Sequence, residues 1–302
     1  MPTIRDYDIT YTAGNTYADV RVSSGNRTKS YLSPVPTEKE LNDLLGTQDV
    51  VLSIPFLFDD CLNLKASPRL PELARLQGNS STDGLFCGCA ALVIPPMLPS
   101  DFYGTPKSLR AAFRGCTKLK QAPVIPAGAV YLNNLFREDT ELVAPVSIPA
   151  SVTTVSYMYY GATKLTGEMI VRGNPSSYSY MFQGTTKPIT LYGDQAKCTT
   201  LANTANNGNV SWSPWYDPVP AVTNRGEGSK TTAADMTRMV RNGALAVNTY
   251  APGRMVYQQG DIVREDEWIA LVEAAQTIDP TITLSTHYSN LNKIEAAFDS
   301  AL

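Results

Sequence analysis

The sequence predicts an α+β protein: a central solenoid of 23-residue coils, each a short strand plus a helical turn, closed by an N-terminal β-hairpin cap and followed by a small C-terminal α+β module. Three observations carry that expectation. An aromatic residue returns at Phe58, Phe86, Phe113, Phe136, Tyr159 and Phe182, the last four spaced by 23 residues. A short apolar run follows the later copies. Outside this stretch the period gives way to strand alternation on one side and to helical spacing on the other.

Residues 1–50 read as a cap or attachment region. Two alternating runs, residues 4–11 and 17–22, are joined by Ala13-Gly14-Asn15, a hairpin signal. Thr37 to Glu40 then form a capping box ahead of Leu41, Leu44 and Leu45, with Gly46 as a stop. Terminal coils of a solenoid expose apolar surface and need such closure.

Residues 51–193 hold the repeat. Its phrase is an apolar residue, an aromatic, then a small residue three further on, as in Leu85-Phe86-x-Gly88-Cys89 and Met158-Tyr159-x-Gly161-Ala162, with a leucine three later. The aromatic suits a core column, and the small Cys, Ala or Thr suits a place where successive coils approach closely. Asp139 breaks that small column. Strands are expected at Ala122–Pro126, Ala144–Pro149, Glu168–Val171 and Ile189–Tyr192. One coil cannot bury its apolar face alone, so coils must stack.

The run Ile148-Pro149-Ala150-Ser151-Val152-Thr153-Thr154-Val155-Ser156-Tyr157-Met158-Tyr159-Tyr160-Gly161-Ala162-Thr163-Lys164-Leu165 resembles a unit of the BspA-like leucine-rich repeat family, and six copies agree in phase over about residues 54–193. The resemblance implies a curved, strand-lined solenoid of the kind found in surface-exposed microbial and viral proteins, working by recognition and not by catalysis.

Residues 194–231 are rich in Asn, Gly, Pro and Ser and read as an irregular connector. Residues 232–302 read as a separate module, with helices near 232–242 and 264–277, short extended pieces at 255–257 and 262–263, and a last helix after Asp279-Pro280. On that last helix Leu291, Ile294, Phe298 and Ala301 share one stripe. It suits either packing within the module or a self-association seam.

Composition narrows the function. A net charge of −3 with 18% charged residues gives no field to gather nucleic acid. No apolar run is long enough for a membrane span, and the first residues lack the layout of a secretory signal. One histidine, His287, excludes Ser-His-Asp and multi-histidine metal chemistry. Five cysteines at low density are expected to be reduced and structural, and neither a metal nor another cofactor is expected. Carboxylates such as Asp59-Asp60 and Glu265-Asp266-Glu267 are the remaining catalytic equipment, but a glycan hydrolase needs two facing each other across a sugar.

Aromatic residues are the better lead, because 16 tyrosines are present and several fall outside the core column. Tyr157, Tyr160, Tyr178 and Tyr180, with Trp212, Trp215 and Tyr216 in the connector, are the candidate ligand-binding residues. Flat rings with a polar handle suit sugar or protein recognition. The expected role is a non-enzymatic structural and recognition protein of a phage-like virion or tail appendage that binds a cell-surface glycan or protein. It would be a homo-oligomer, a trimer among the options, or be held by other particle proteins, and would reach the outside by lysis. The alternatives are a free-standing bacterial binding protein, cytoplasmic in the absence of an export signal, and, third, a carboxylate-dependent glycan hydrolase.

Overall fold

The protein is described by a computed structural model. It covers residues 58–62, 64–67, 82–98, 107–215, 226 and 231–302, plus four strands nearer the N-terminus: β1 Tyr7–Tyr11, β2 Tyr17–Val22, β3 Val51–Ser53 and β4 Arg75–Leu76. The expected helix after Thr37 lies outside the described residues. β1 and β2 pair antiparallel as a hairpin, and β2, β3 and β4 continue the sheet in parallel, in the order β1-β2-β3-β4.

From Phe58 onward six aromatic rings form one stack. Phe58, Phe86, Phe113, Phe136, Tyr159 and Phe182 follow one another at centroid separations of 5.0, 5.4, 5.8, 5.8 and 5.6 Å, every neighbouring pair within 19° of parallel. All six are buried. The spacing follows from the backbone, because the N–H of each aromatic from Phe58 to Tyr159 donates to a carbonyl of the next repeat, as from Phe113 to Leu135 at 3.1 Å and from Phe136 to Met158 at 2.9 Å. Apolar neighbours such as Leu85, Leu135 and Met158 fill the rest of this first hydrophobic core.

The segments around the rings are tandem turns and not the helical turns expected. Two columns of residues sit in the left-handed backbone region: two before the aromatic, at Gly84, Ala111, Asn134, Tyr157 and Tyr180, and two after it, at Asp60, Gly88, Gly115, Glu138, Gly161 and Gly184. A right-handed helix cannot pass through such residues, and at all of them but Tyr180 and Gly184 the N–H turns to the next repeat, as from Asn134 to Ser156 and from Gly161 to Gln183.

Two of the four expected strands form. β5 Lys107–Ser108 and β6 Ala129–Tyr131 pair in parallel, and β7 Gly167–Val171, β8 Ile189–Gly193 and β9 Val210–Trp212 make a parallel sheet. The runs 122–126 and 144–149 are not strands, apart from a single bridge from Ile148 to Val171. Their prolines, Pro123, Pro126, Pro145 and Pro149, have no N–H to donate to a ladder.

The connector is also more ordered than expected: α1 Gln195–Ala202, capped by Asp194, buries Cys198 and Leu201 against the end of the ring core. α2 Ala233–Ala246, α3 Glu265–Gln276 and α4 Tyr288–Ser300 build a second core. No strand forms at 255–257 or 262–263. Strand alternation joins the two cores. Met169, Val171, Ile189 and Leu191 face the rings, whereas Ile170 and Tyr192 belong to the helical core. The Arg172 side chain at the end of β7 donates to the Tyr250 carbonyl at 3.1 Å, to Asn248 at 2.8 Å and to the Ala244 carbonyl.

Of the two readings of the last helix's stripe, packing within the module accounts for most of it. Leu291, Ile294 and Phe298 are buried inside the second core at 1% exposure or less, and Ala301 lies beyond the end of α4. Three of the four stripe residues are thus spent on packing within the module, and Ala301 is exposed. No helix among the described residues is long and apolar enough to cross a membrane.

Candidate functional surface

The column two residues before each core aromatic places Tyr180 in the open and Tyr157 half-buried, with Tyr160 half-buried beside them. Tyr157 and Tyr180 hold φ of 58° and 57°, a conformation that bulky side chains avoid. Their rings lie 5.0 Å apart, tilted by 32°, and Tyr160 joins at 5.8 Å from Tyr157. From the preceding repeat the Arg137 guanidinium lies 5.5 Å from the Tyr157 ring centre and 5.1 Å from that of Tyr160. Its Nε bonds Glu138 at 3.1 Å, and an Nη donates to the Asn134 side chain at 3.4 Å. Arginine over a tyrosine face is attractive through the ring quadrupole and fixes both groups.

The result is a tiered stack of Arg137, Tyr157 and Tyr180, with Tyr160 at its side. It ends at Tyr180, which is 49% exposed. The next repeat is interrupted by α1, and Phe182 donates its N–H to the Thr204 hydroxyl at 3.1 Å. A similar pair, Arg110 over Tyr131 at 5.1 Å, lies further back along the repeats. It was not singled out in the sequence, because Arg110 and Tyr131 stand at other offsets from their core aromatics than Arg137 and Tyr157 do.

The remaining candidate residues do not join this stack. Tyr178 is half-buried against the ring core. Trp212, also half-buried, donates its indole N–H to the Gly193 carbonyl at 3.1 Å and anchors β9. Trp215 stacks on Tyr192 at 6.1 Å beneath the Arg172 guanidinium, on the side facing the helical core. Tyr216 lies outside the described residues.

The groups weighed for chemistry have structural partners. Cys89 donates its thiol to the Phe58 carbonyl at 2.9 Å and Cys116 to that of Phe86 at 3.2 Å, each linking one repeat to the one before. A hydrogen bond with Cys61 and burial raise the Cys89 thiol pKa, and burial raises that of Cys116. Asp139, in the same column, is completely buried with neither carboxyl oxygen hydrogen-bonded among the described residues, and burial holds its pKa well above the usual carboxylate range. Glu267 pairs with Arg254 at 3.0 Å, and Asp266 accepts from the Val124 N–H at 3.0 Å and binds Arg264. Asp266 and Glu267 thus hold α3 in place and do not face each other across a gap. His287 caps α4 by accepting from the Ser289 N–H.

No family model and no curated protein matches the chain. A solved leucine-rich repeat protein from Bacteroides ovatus is similar at 16% identity with a TM-score of 0.34, over 70% of this chain and 67% of its own.

Proposed function

We propose that this is a non-enzymatic recognition protein whose stacked repeats form a solenoid of the BspA-like leucine-rich type, with 23-residue coils, and that its ligand docks on the Arg137, Tyr157, Tyr160 and Tyr180 surface. One observation carries the reading. Tyr157 and Tyr180 occupy a left-handed column in which the same chain also uses Gly84 and Asn134, residues that adopt this backbone more cheaply. The turn does not need a ring there, which favours a use for the rings in contacts beyond the chain. Flat, amphipathic and preorganised groups suit a cell-surface glycan or a protein loop. The setting we favour is a virion or tail appendage, in which the chain is a homo-oligomer or is held by other particle proteins.

Binding of the purified protein to a glycan panel and to intact bacterial cells tests this, alongside Tyr157→Asn and Tyr180→Asn. Saturable binding lost in both variants supports the reading. Binding that persists in both, or no binding to either surface, overturns it. Recovery of the chain with sedimented phage particles supports the virion setting, and recovery only from uninfected cells replaces it with a free-standing bacterial binding protein.

A further inference from the structure

We propose a second binding site in the C-terminal module: a cleft that takes an organic cation carried on an apolar body, the chemistry of an alkylammonium group. The cleft encloses about 800 Å³ between the start of α2, the 257–264 loop and the first turns of α3, a size suited to a small ligand or a single long side chain. Met236, Val263, Trp268 and Leu291 supply its apolar lining. Trp268 is half-buried, and its indole N–H is committed to the Leu284 carbonyl at 2.8 Å, which holds the ring in place.

Charge decides the class of ligand. Among the described residues Arg264 is the only cationic side chain of the lining, and it is engaged elsewhere, by Asp266 at 2.9 and 2.5 Å and by the Ala122 carbonyl at 2.5 Å. Asp261 is paired with Arg254 at 3.1 Å. Glu265 is exposed and enters none of the ion pairs that knit the neighbouring Arg254, Arg264, Asp266 and Glu267 together. Among the described residues the cleft therefore offers an uncommitted carboxylate and no uncommitted cation. Glu265 and Trp268 stand three residues apart on α3 and so share one helix face. A carboxylate beside an indole over an apolar floor favours a desolvated ammonium group and leaves an anion unpaired.

The test uses the full chain with Trp212→Phe and Trp215→Phe, which leaves Trp268 as the sole fluorophore of the three tryptophans. Hexyltrimethylammonium and hexanesulfonate are titrated against its emission, with far-ultraviolet circular dichroism to verify folding. A saturable change is expected for the cation, with the sulfonate at least about tenfold weaker. Glu265→Gln should weaken the cation several-fold without moving the unfolding midpoint. Competition by acetyl-Leu-Lys-Leu-amide would assign the site to a lysine side chain, and its failure to compete would assign it to a free amine. Equal responses to cation and anion, no saturation by about 10 mM, or indifference to Glu265→Gln would overturn the proposal. The tyrosine surface takes no part in this measurement, so the two readings fail separately.

Discussion

The Tyr159 hydroxyl reaches the backbone of Val146 and engages both of its polar groups, accepting from the N–H at 2.9 Å and donating to the carbonyl at 3.3 Å. Tyr159 is the one tyrosine in a stack otherwise made of phenylalanine. Tyr159→Phe keeps the ring but leaves two buried backbone groups unpaired, so it should destabilise by about 1–3 kcal/mol in urea unfolding. Phe113→Ala, which opens a cavity in the same stack, should cost more, about 3–5 kcal/mol. Equal stability of Tyr159→Phe and the parent would show that the Val146 contacts contribute nothing.

Asp139 should make stability fall as pH rises. Burial raises its folded pKa above the unfolded value of about 3.9. Its contribution is thus fully present below about pH 3.9 and is lost as pH climbs towards the folded pKa, at up to about 1.4 kcal/mol per pH unit. Asp139→Cys restores the residue used at Cys61, Cys89 and Cys116. It should be more stable than the parent at pH 7 by more than about 1 kcal/mol, a margin that shrinks at pH 4. Urea unfolding at both pH values reads this directly, and a margin independent of pH would contradict it.

Arg172 binds carbonyls at the end of α2 and just beyond it, so it serves as a cap as well as a tie between the two cores. Arg172→Met should cost about 1.5–3 kcal/mol. Hydrogen exchange of residues 244–250 should speed up by more than that of residues 107–165. Uniform acceleration throughout would mean that the arginine is not a local tie.

Tyr180→Asn should leave stability within about 1 kcal/mol of the parent. The ring contact with Tyr157 is worth about 0.5–1.5 kcal/mol, and asparagine recovers a similar amount by accepting the left-handed backbone. Thermal unfolding measures the balance. A loss of several kcal/mol would make the ring a structural element and remove the ground for a recognition role.

Much of the repeat was legible in the chain itself. A large ring followed three residues later by Cys, Ala or Thr is a one-dimensional pattern, and any fold that stacks one copy on the next must place equal positions one above another. The positions of Phe58 to Phe182 and the thiols beside them follow from that constraint. The helices expected near 232–242 and 264–277 form at 233–246 and 265–276, the first running further than expected. Tertiary structure alone decided the rest. Ala111, Tyr157 and Tyr180 carry no local signal for left-handed backbone. Ala111 and Tyr157 adopt it where their N–H groups pair with the next repeat and not with their own. The strand positions moved because prolines removed the donors a ladder requires. The aromatic residues read together from the sequence were parted because alternate residues of β8 face different cores, which puts Trp215 against Tyr192 and leaves Tyr157, Tyr160 and Tyr180 on the surface of the turns. Spacing determines which residues can share a face, but what covers that face depends on chain distant in sequence, as it does where the helical core closes over Ile170 and buries Leu291, Ile294 and Phe298.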